Sequence, residues 1–399
     1  MGRHARDGAA AAGRGAGRMS VATRIKPRDL RLVEKLAGIH WPLVALTATL
    51  GMIGYVVLYS AGGGHHEPWA LRHALRLLFG AALMLAIALT GIRFWFRWAY
   101  AIYGVCLGLL VAVEIMGELN KGAQRWIDLG VFQLQPSELM KIALALALAR
   151  YFHSAYLDEV GRPAYLLPPI LMAVVPAALV LRQPDLGTAV MLLAMGGGLL
   201  FLAGVRLWKF ALAIGLAAAA LPIIWSQMHD YQKQRVLTFL EPERDPLGAG
   251  YHIIQSKIAL GSGGLWGKGL LNGSQAQLSF LPEKQTDFAF TMLAEETGFF
   301  GGLVVLLICF AILMALLAIG MRAAHQFGRL LAIAIGINFF LYVTINVAMV
   351  TGLIPVVGVP LPLVSYGGTA MLTTLIGFGL VLCIDVNRFT QIPRFPVET

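Results

Sequence analysis

Ten long apolar runs limit this chain to one kind of fold. They lie near residues 41–61, 73–89, 98–116, 139–152, 166–181, 187–205, 208–228, 288–320, 330–350 and 369–384. A hydrocarbon core about 30 Å thick is crossed by about 20 helical residues, so most of these runs have the length of a membrane span. Of all residues, 58% are hydrophobic and 13% charged, and mean hydropathy is +0.73, so most of the outer surface must face lipid. The expected fold is an all-α polytopic membrane protein with about ten transmembrane helices and one large structured extracytoplasmic loop. The fourth run is short, and is expected to tilt little or to sit partly buried in protein.

Ten crossings put both termini on one side, and lysine and arginine say which. The N-terminal tail holds Arg3, Arg6, Arg14, Arg18, Arg24, Lys26, Arg28, Arg31 and Lys35. Short loops on the same side add Arg93, Arg97, Arg150, Arg162, Arg206, Lys209, Arg322 and Arg329. The short loops opposite carry only Arg72, Lys121, Arg125 and Arg182. By the positive-inside rule both termini are cytoplasmic and the long loop, residues 229–287, faces outward. Topology and tail thus account for much of the net charge of +10, without a nucleic-acid partner. Residues 1–38, rich in Ala, Gly and Arg and lacking an apolar signal core, are expected to be a disordered cytoplasmic tail, with Met19 as an alternative start. Residues 39–388 form one transmembrane domain, and 389–399 a cytoplasmic C-terminal tail. Cys106, Cys309 and Cys383 fall inside apolar runs without metal-like spacing and read as packing residues.

The chemistry is expected in the long loop and around it. A connection of nearly sixty residues far exceeds what joining two helices needs. It ends in LPEKQTDF, which sets Asp287 at the threshold of an apolar run, as either a helix N-cap or an acid with a chemical task. Two helices open on related tetrads, QPSE at Gln135 and QPDL at Gln183. Proline followed by an acid suits a first helical turn, so a plain helix start explains much of both. It explains less of the company they keep. Glu138 and Lys141 share a helix face, and Glu114, Lys121, Arg125, Trp126 and Arg182 lie at the same boundary, where ionisable groups are costly and functional by default, so a polar site is favoured over a set of structural ion pairs. The segment GSGGLWGKG, residues 261–269, misses the spacing of a nucleotide-binding phosphate loop and reads as a flexible or tightly turning connection. In VGVPLPLVSYGGTAM, residues 357–371, prolines and paired glycines forbid a regular helix, and irregular backbone at membrane depth survives only buried in protein or lining a cavity. His65 and His66 lack a third ligand and read as ordinary loop residues.

The stretches KGAQRWIDLG, QPSELMK, QPDLGTA, YHIIQSKIALGSGGLWGKG, SQAQLSFLPEKQTDFAF, AEETG and GLIPVVGVPLPLVSYGG together resemble the SEDS family of bacterial cell-wall proteins, over nearly everything from Trp41 to Asn387. GSGGLWGKG, QAQLSFLPE and VGVPLPLVSYGG are more similar to the RodA, or elongation, branch than to the FtsW, or division, branch. The resemblance implies a multi-pass protein of the bacterial inner membrane that polymerises peptidoglycan from lipid II, with undecaprenyl pyrophosphate as leaving group and a class B penicillin-binding protein as partner. It implies Asp287 as catalytic base, and Arg125 and Lys141 as cations for the pyrophosphate, with Lys121 and Arg182 behind them. Trp126 and Glu138 would shape the cavity and Ser365 would line it. Glu114, Asp287 and Glu295 could together take a divalent cation, Mg or Mn, although the sequence demands none. Two other classes are weighed: a lipid II flippase, which needs a polar path to both faces, and a non-catalytic scaffold, which does not explain a Glu/Lys pair at membrane depth.

Overall fold

The computed structural model describes residues 31–116, 118–120, 123–128, 133–155, 160–227, 233, 237, 249–274 and 283–393. The basic tail to residue 30, Lys121, much of the long loop and residues 394–399 lie outside these. A helix stands on each of the ten apolar runs: α2 Trp41–Ala61, α3 Ala70–Ala88, α4 Ile92–Met116, α5 Pro136–His153, α6 Pro163–Arg182, α7 Leu186–Leu202, α8 Leu207–Gln227, α10 Ala289–Arg322, α11 Gln326–Val350 and α12 Gly368–Val386. Two more were not expected: α1 Leu32–Ala37, inside the stretch expected to be disordered, and α9 Ala249–Ser262, in the long loop. Between α4 and α5 lies a small antiparallel sheet, β1 Glu118–Asn120, β2 Ala123–Asp128 and β3 Gln133–Leu134, a minor departure from an all-α chain. Among the described residues, seven of these helices are long and apolar enough to cross a membrane by themselves, while α5 and α7 fall short.

The shortfall of α5 has a physical reason. Fifteen of its eighteen residues are buried, so it meets protein on every side and has no need of a lipid-facing surface. Alternating alanines, Ala143, Ala145, Ala147 and Ala149, let neighbouring helices approach closely, as small residues do in membrane bundles. The second central helix is α12, with sixteen of nineteen residues buried, packed along α3. By contrast α4 leaves most of its surface to lipid.

α10 is broken at Gly298, whose φ of 72° and ψ of −168° interrupt the helix. A break inside a membrane span frees backbone groups that lipid cannot satisfy. Here the glycine-rich segment after α9 satisfies them. The N–H groups of Lys268 and Gly269 donate to the carbonyls of Glu295 and Glu296, at 3.1 and 2.9 Å. Those of Phe299 and Phe300 donate to Gly264 and Leu265, at 2.9 and 3.3 Å. The approach is so close that a Cβ on Gly267 would lie 2.1 Å from the Glu296 carbonyl oxygen. The glycines of GSGGLWGKG therefore splice a broken helix, and are more constrained than a flexible connection would be.

Both described chain ends lie at one end of the bundle. Lys35 Nζ donates to the Leu89 carbonyl at 2.8 Å, Ala324 N to Arg388 O at 3.1 Å, and His153 Nε2 lies 3.3 Å from Ile392 O. At the same end His325 caps α11 through Gly328 N, and burial, helped by nearby His153, lowers its pKa to about 4.

Candidate active site

The polar segments singled out in the sequence meet at the other end of the bundle. Asn346, fully buried one turn beyond Tyr342 on α11, donates through Nδ2 to Val359 O at 2.8 Å and Asp287 O at 3.0 Å. It thereby joins the turn at 283–288 to the loop at 351–367, while its own Oδ1 has no partner among the described residues. Tyr366 N–H donates to Gln285 O at 2.8 Å, a second tie between the same two segments. That loop is buried in protein at Val359, Leu361, Leu363, Val364 and Ser365, which is how its irregular backbone is tolerated. Gly187 at the start of α7 abuts it, since a Cβ there would lie 2.8 Å from Val359.

Asp287 sits half-buried at this junction; a Cβ on Gly358 would come within 3.7 Å of its Oδ2. The N-cap of α10 is Phe288, so Asp287 is one residue too early for the capping position its sequence context also allowed. Beside it Lys284 is half-buried, and burial holds its ammonium below the usual lysine range.

The structure separates the candidate cations into closed and open. Lys141 is 1% and Glu138 4% exposed. Lys141 Nζ donates to Glu138 Oε1 at 2.7 Å and to the Tyr342 hydroxyl, and that hydroxyl donates to Glu138 Oε2. Thr373 Oγ1 donates to the same oxygen at 3.2 Å. The lysine expected to hold pyrophosphate is instead consumed by a buried ion pair with its hydrogen-bonding capacity largely met. Arg125 is half-buried on β2, with Nε donating to Gln183 O at 2.8 Å and a terminal nitrogen to Pro184 O. A guanidinium has five N–H donors, and among the described residues two of them have partners. Trp126 is half-buried next to it, its backbone paired with Glu118 of β1. Arg182 makes a surface pair with Glu114 at 3.6 Å, with side chains 74% and 36% exposed.

Several expected roles change. Ser365 is buried and its Oγ accepts from Leu361 N at 2.9 Å, so it pins its own turn. Glu295 pairs with Lys268 at 2.7 Å beside the helix splice, and Glu114 with Arg182, so the carboxylate trio with Asp287 is not assembled. Among the described residues no three His, Cys, Asp or Glu side chains converge as a metal site. Asp185 caps α7, accepting from Thr188 N at 3.1 Å and Thr188 Oγ1 at 2.9 Å. Sequence reasoning missed Tyr342, Asn346 and Thr373, although polar residues four apart in an apolar run, as Tyr342 and Asn346 are, were a readable signal. It also passed over Arg76 by counting it inside a span.

The fold and the site define a polytopic membrane protein with a polar centre at one end of a helical bundle. Residues 40–390 match the FtsW/RodA/SpoVE family, described as "Cell cycle protein", and the chain belongs to that family. It is 45% identical over 358 residues to the peptidoglycan glycosyltransferase MrdB of Escherichia coli K12, covering 88% of this chain and 95% of that one. Identity to a probable peptidoglycan glycosyltransferase FtsW of Tolumonas auensis is 38%, over 87% and 92% of the two chains. In structure it resembles a chain solved for the structural coordination of polymerization and crosslinking by a peptidoglycan synthase complex, at TM-score 0.77 and 31% identity, over 88% of this chain and 99% of that one. It also resembles the rod shape determining protein RodA of Thermus thermophilus, at TM-score 0.67 and 29% identity, over 88% and 98%.

Proposed function

We infer that the protein is a peptidoglycan glycosyltransferase of rod-shape elongation, and that the polar end of its bundle is where glycan is polymerised. The observation that carries the placement is the junction of the 283–288 turn with the 351–367 loop. It fixes a half-buried carboxylate, Asp287, at the bundle end that also carries the half-buried Arg125. In the proposed reaction the 4-hydroxyl of lipid II attacks the anomeric carbon of a glycan linked to undecaprenyl pyrophosphate. Asp287 takes the hydroxyl proton as the new C–O bond forms. The bond to pyrophosphate breaks with inversion, and the remaining donors of Arg125 stabilise the charge that develops on the leaving group. Trp126 shapes the cavity. The Glu138–Lys141–Tyr342–Thr373 set holds α5, α11 and α12 in register beneath it.

The charge distribution supports an outward-facing site, because both described chain ends lie at the opposite end of the bundle and basic residues concentrate there. A class B penicillin-binding protein is the proposed partner, supported by the likeness to a chain of a synthase complex that couples polymerization to crosslinking. Transport is disfavoured by the core of α5, where buried apolar residues run unbroken from Ile142 to Ala149. The test is to incubate the purified protein, alone and with its class B partner, with labelled lipid II and to separate the products by length. Glycan chains support the reading. Movement of lipid II across a bilayer without chain growth would replace it with the flippase, and neither outcome in either preparation would leave a scaffold.

A further inference from the structure

Arg76 is a cation inside a membrane span that no described residue neutralises. It lies six residues into α3, about 9 Å along the helix from its first residue. It is half-buried, and its guanidinium carbon stands 4.8 Å from the centre of the Tyr366 ring. Among the described residues it makes no ion pair or hydrogen bond. Its other neighbour raises the cost, because a Cβ on Gly368 would lie 3.0 Å from its terminal nitrogen, at the first residue of α12. A helix N-terminus is a positive dipole end, and the N-cap here, Gly367, offers no side chain to offset it. A guanidinium held at membrane depth against a positive helix end needs an anion, and the described residues supply none.

We propose that Arg76, clamped between Tyr366 and Gly368, binds a phosphate of the lipid-linked substrate, as a second anion-binding group besides Arg125. The proposal rests on the glycosyltransferase reading and names one more residue of its site. The link to the candidate base is short. Tyr366, whose ring carries Arg76, donates its backbone N–H to Gln285, two residues before Asp287. A phosphate that is membrane-anchored, charged and at this depth describes the head of a polyprenyl pyrophosphate. A phospholipid headgroup shares that chemistry, so the test has an arm for each.

The test measures binding of undecaprenyl pyrophosphate to the full chain in phosphatidylcholine nanodiscs, with phosphatidylglycerol nanodiscs as the second arm. Arg76→Gln is expected to weaken undecaprenyl pyrophosphate binding about 10- to 100-fold, the worth of a charged hydrogen bond to phosphate. Gly368→Ala keeps the charge but pushes the guanidinium aside, and is expected to weaken binding severalfold and to raise the KM for lipid II more than it lowers kcat. Should Arg76→Gln not fold, Gly368→Ala decides. Unchanged undecaprenyl pyrophosphate binding in the folded variant would overturn the proposal. So would a difference from the parent confined to melting temperature in phosphatidylglycerol, which would assign Arg76 to a membrane headgroup. If the parent polymerises lipid II and Arg76→Gln binds and polymerises equally well, only this inference falls. If the parent itself neither binds nor polymerises, the glycosyltransferase reading falls with it.

Discussion

Two polar clusters lie at the same end of this bundle, and they differ in what their charges are free to do. In the inner one, Glu138, Lys141, Tyr342 and Thr373 spend their hydrogen bonds on one another with almost no exposure. In the outer one, Asp287, Arg125 and Arg76 are half-buried on a turn, a strand and a helix, and among the described residues the two arginines keep donors unspent. Charge at membrane depth is costly in both, but only in the outer cluster can a ligand repay the cost. On the proposed reading the inner cluster holds three helices in register, and the outer one is the place for chemistry.

Breaking the inner cluster has the largest expected effect on the folded state. Lys141→Met leaves Glu138 buried without its cation and is expected to cost about 3–5 kcal/mol, read as lost folded yield and a lower Tm in detergent. Replacing Glu138 by Gln in the same chain removes the stranded charge and should recover part of that loss. A Lys141→Met protein that melts like the parent yet no longer polymerises would move Lys141 into the outer cluster.

The difference between the clusters was only partly legible in the sequence. All ten apolar runs became helices, because a 20-residue apolar stretch in lipid has few other ways to satisfy its backbone. Asp287, Arg125 and the loop at 357–371 were singled out because a polar group or a proline in such surroundings has to be explained. What the sequence withheld was pairing. Spacing put Glu138 and Lys141 on one face, but the hydroxyl of Tyr342, some two hundred residues away, is what closes the pair. Arg76 was hidden for the opposite reason: one charge in an apolar run does not spoil a span, and only the fold reveals that no carboxylate among the described residues pairs with it. The helix splice was also out of reach, since the partners of GSGGLWGKG lie beyond the long loop, in α10.

That splice gives the next prediction. Gly267→Ala forces a Cβ to 2.1 Å from backbone at a φ of +80°, and should destabilise by about 2–3 kcal/mol. Gly261→Ala, six residues earlier in the same motif, meets nothing within 4 Å and should stay within about 0.5 kcal/mol of the parent. Equal melting temperatures for the two would return the motif to a flexible loop. In the outer cluster, Arg125→Lys keeps the charge but loses the planar fork, and polymerisation should fall about 10- to 100-fold while most of the folded protein survives. The smallest effect is expected at Arg182, whose pair with Glu114 is largely in solvent. Arg182→Gln should shift stability by less than about 1 kcal/mol and leave glycan synthesis near the parent level. A large loss of synthesis there would add Arg182 to the outer cluster.

The most direct test of the division is the polymerisation rate per folded molecule of Asp287→Asn, measured beside its melting curve. Asparagine matches the aspartate in size, and the helix that follows is capped at Phe288, so the melting temperature and the binding of the class B partner should be those of the parent. What the substitution removes is the proton acceptor, and loss of a general base typically costs about 10² to 10⁴ in rate. The expected result is a folded, partner-binding protein that makes almost no glycan from lipid II. Polymer formed at close to the parent rate would contradict the assignment of Asp287 as the base, and with it the claim that the chemistry belongs to the outer cluster.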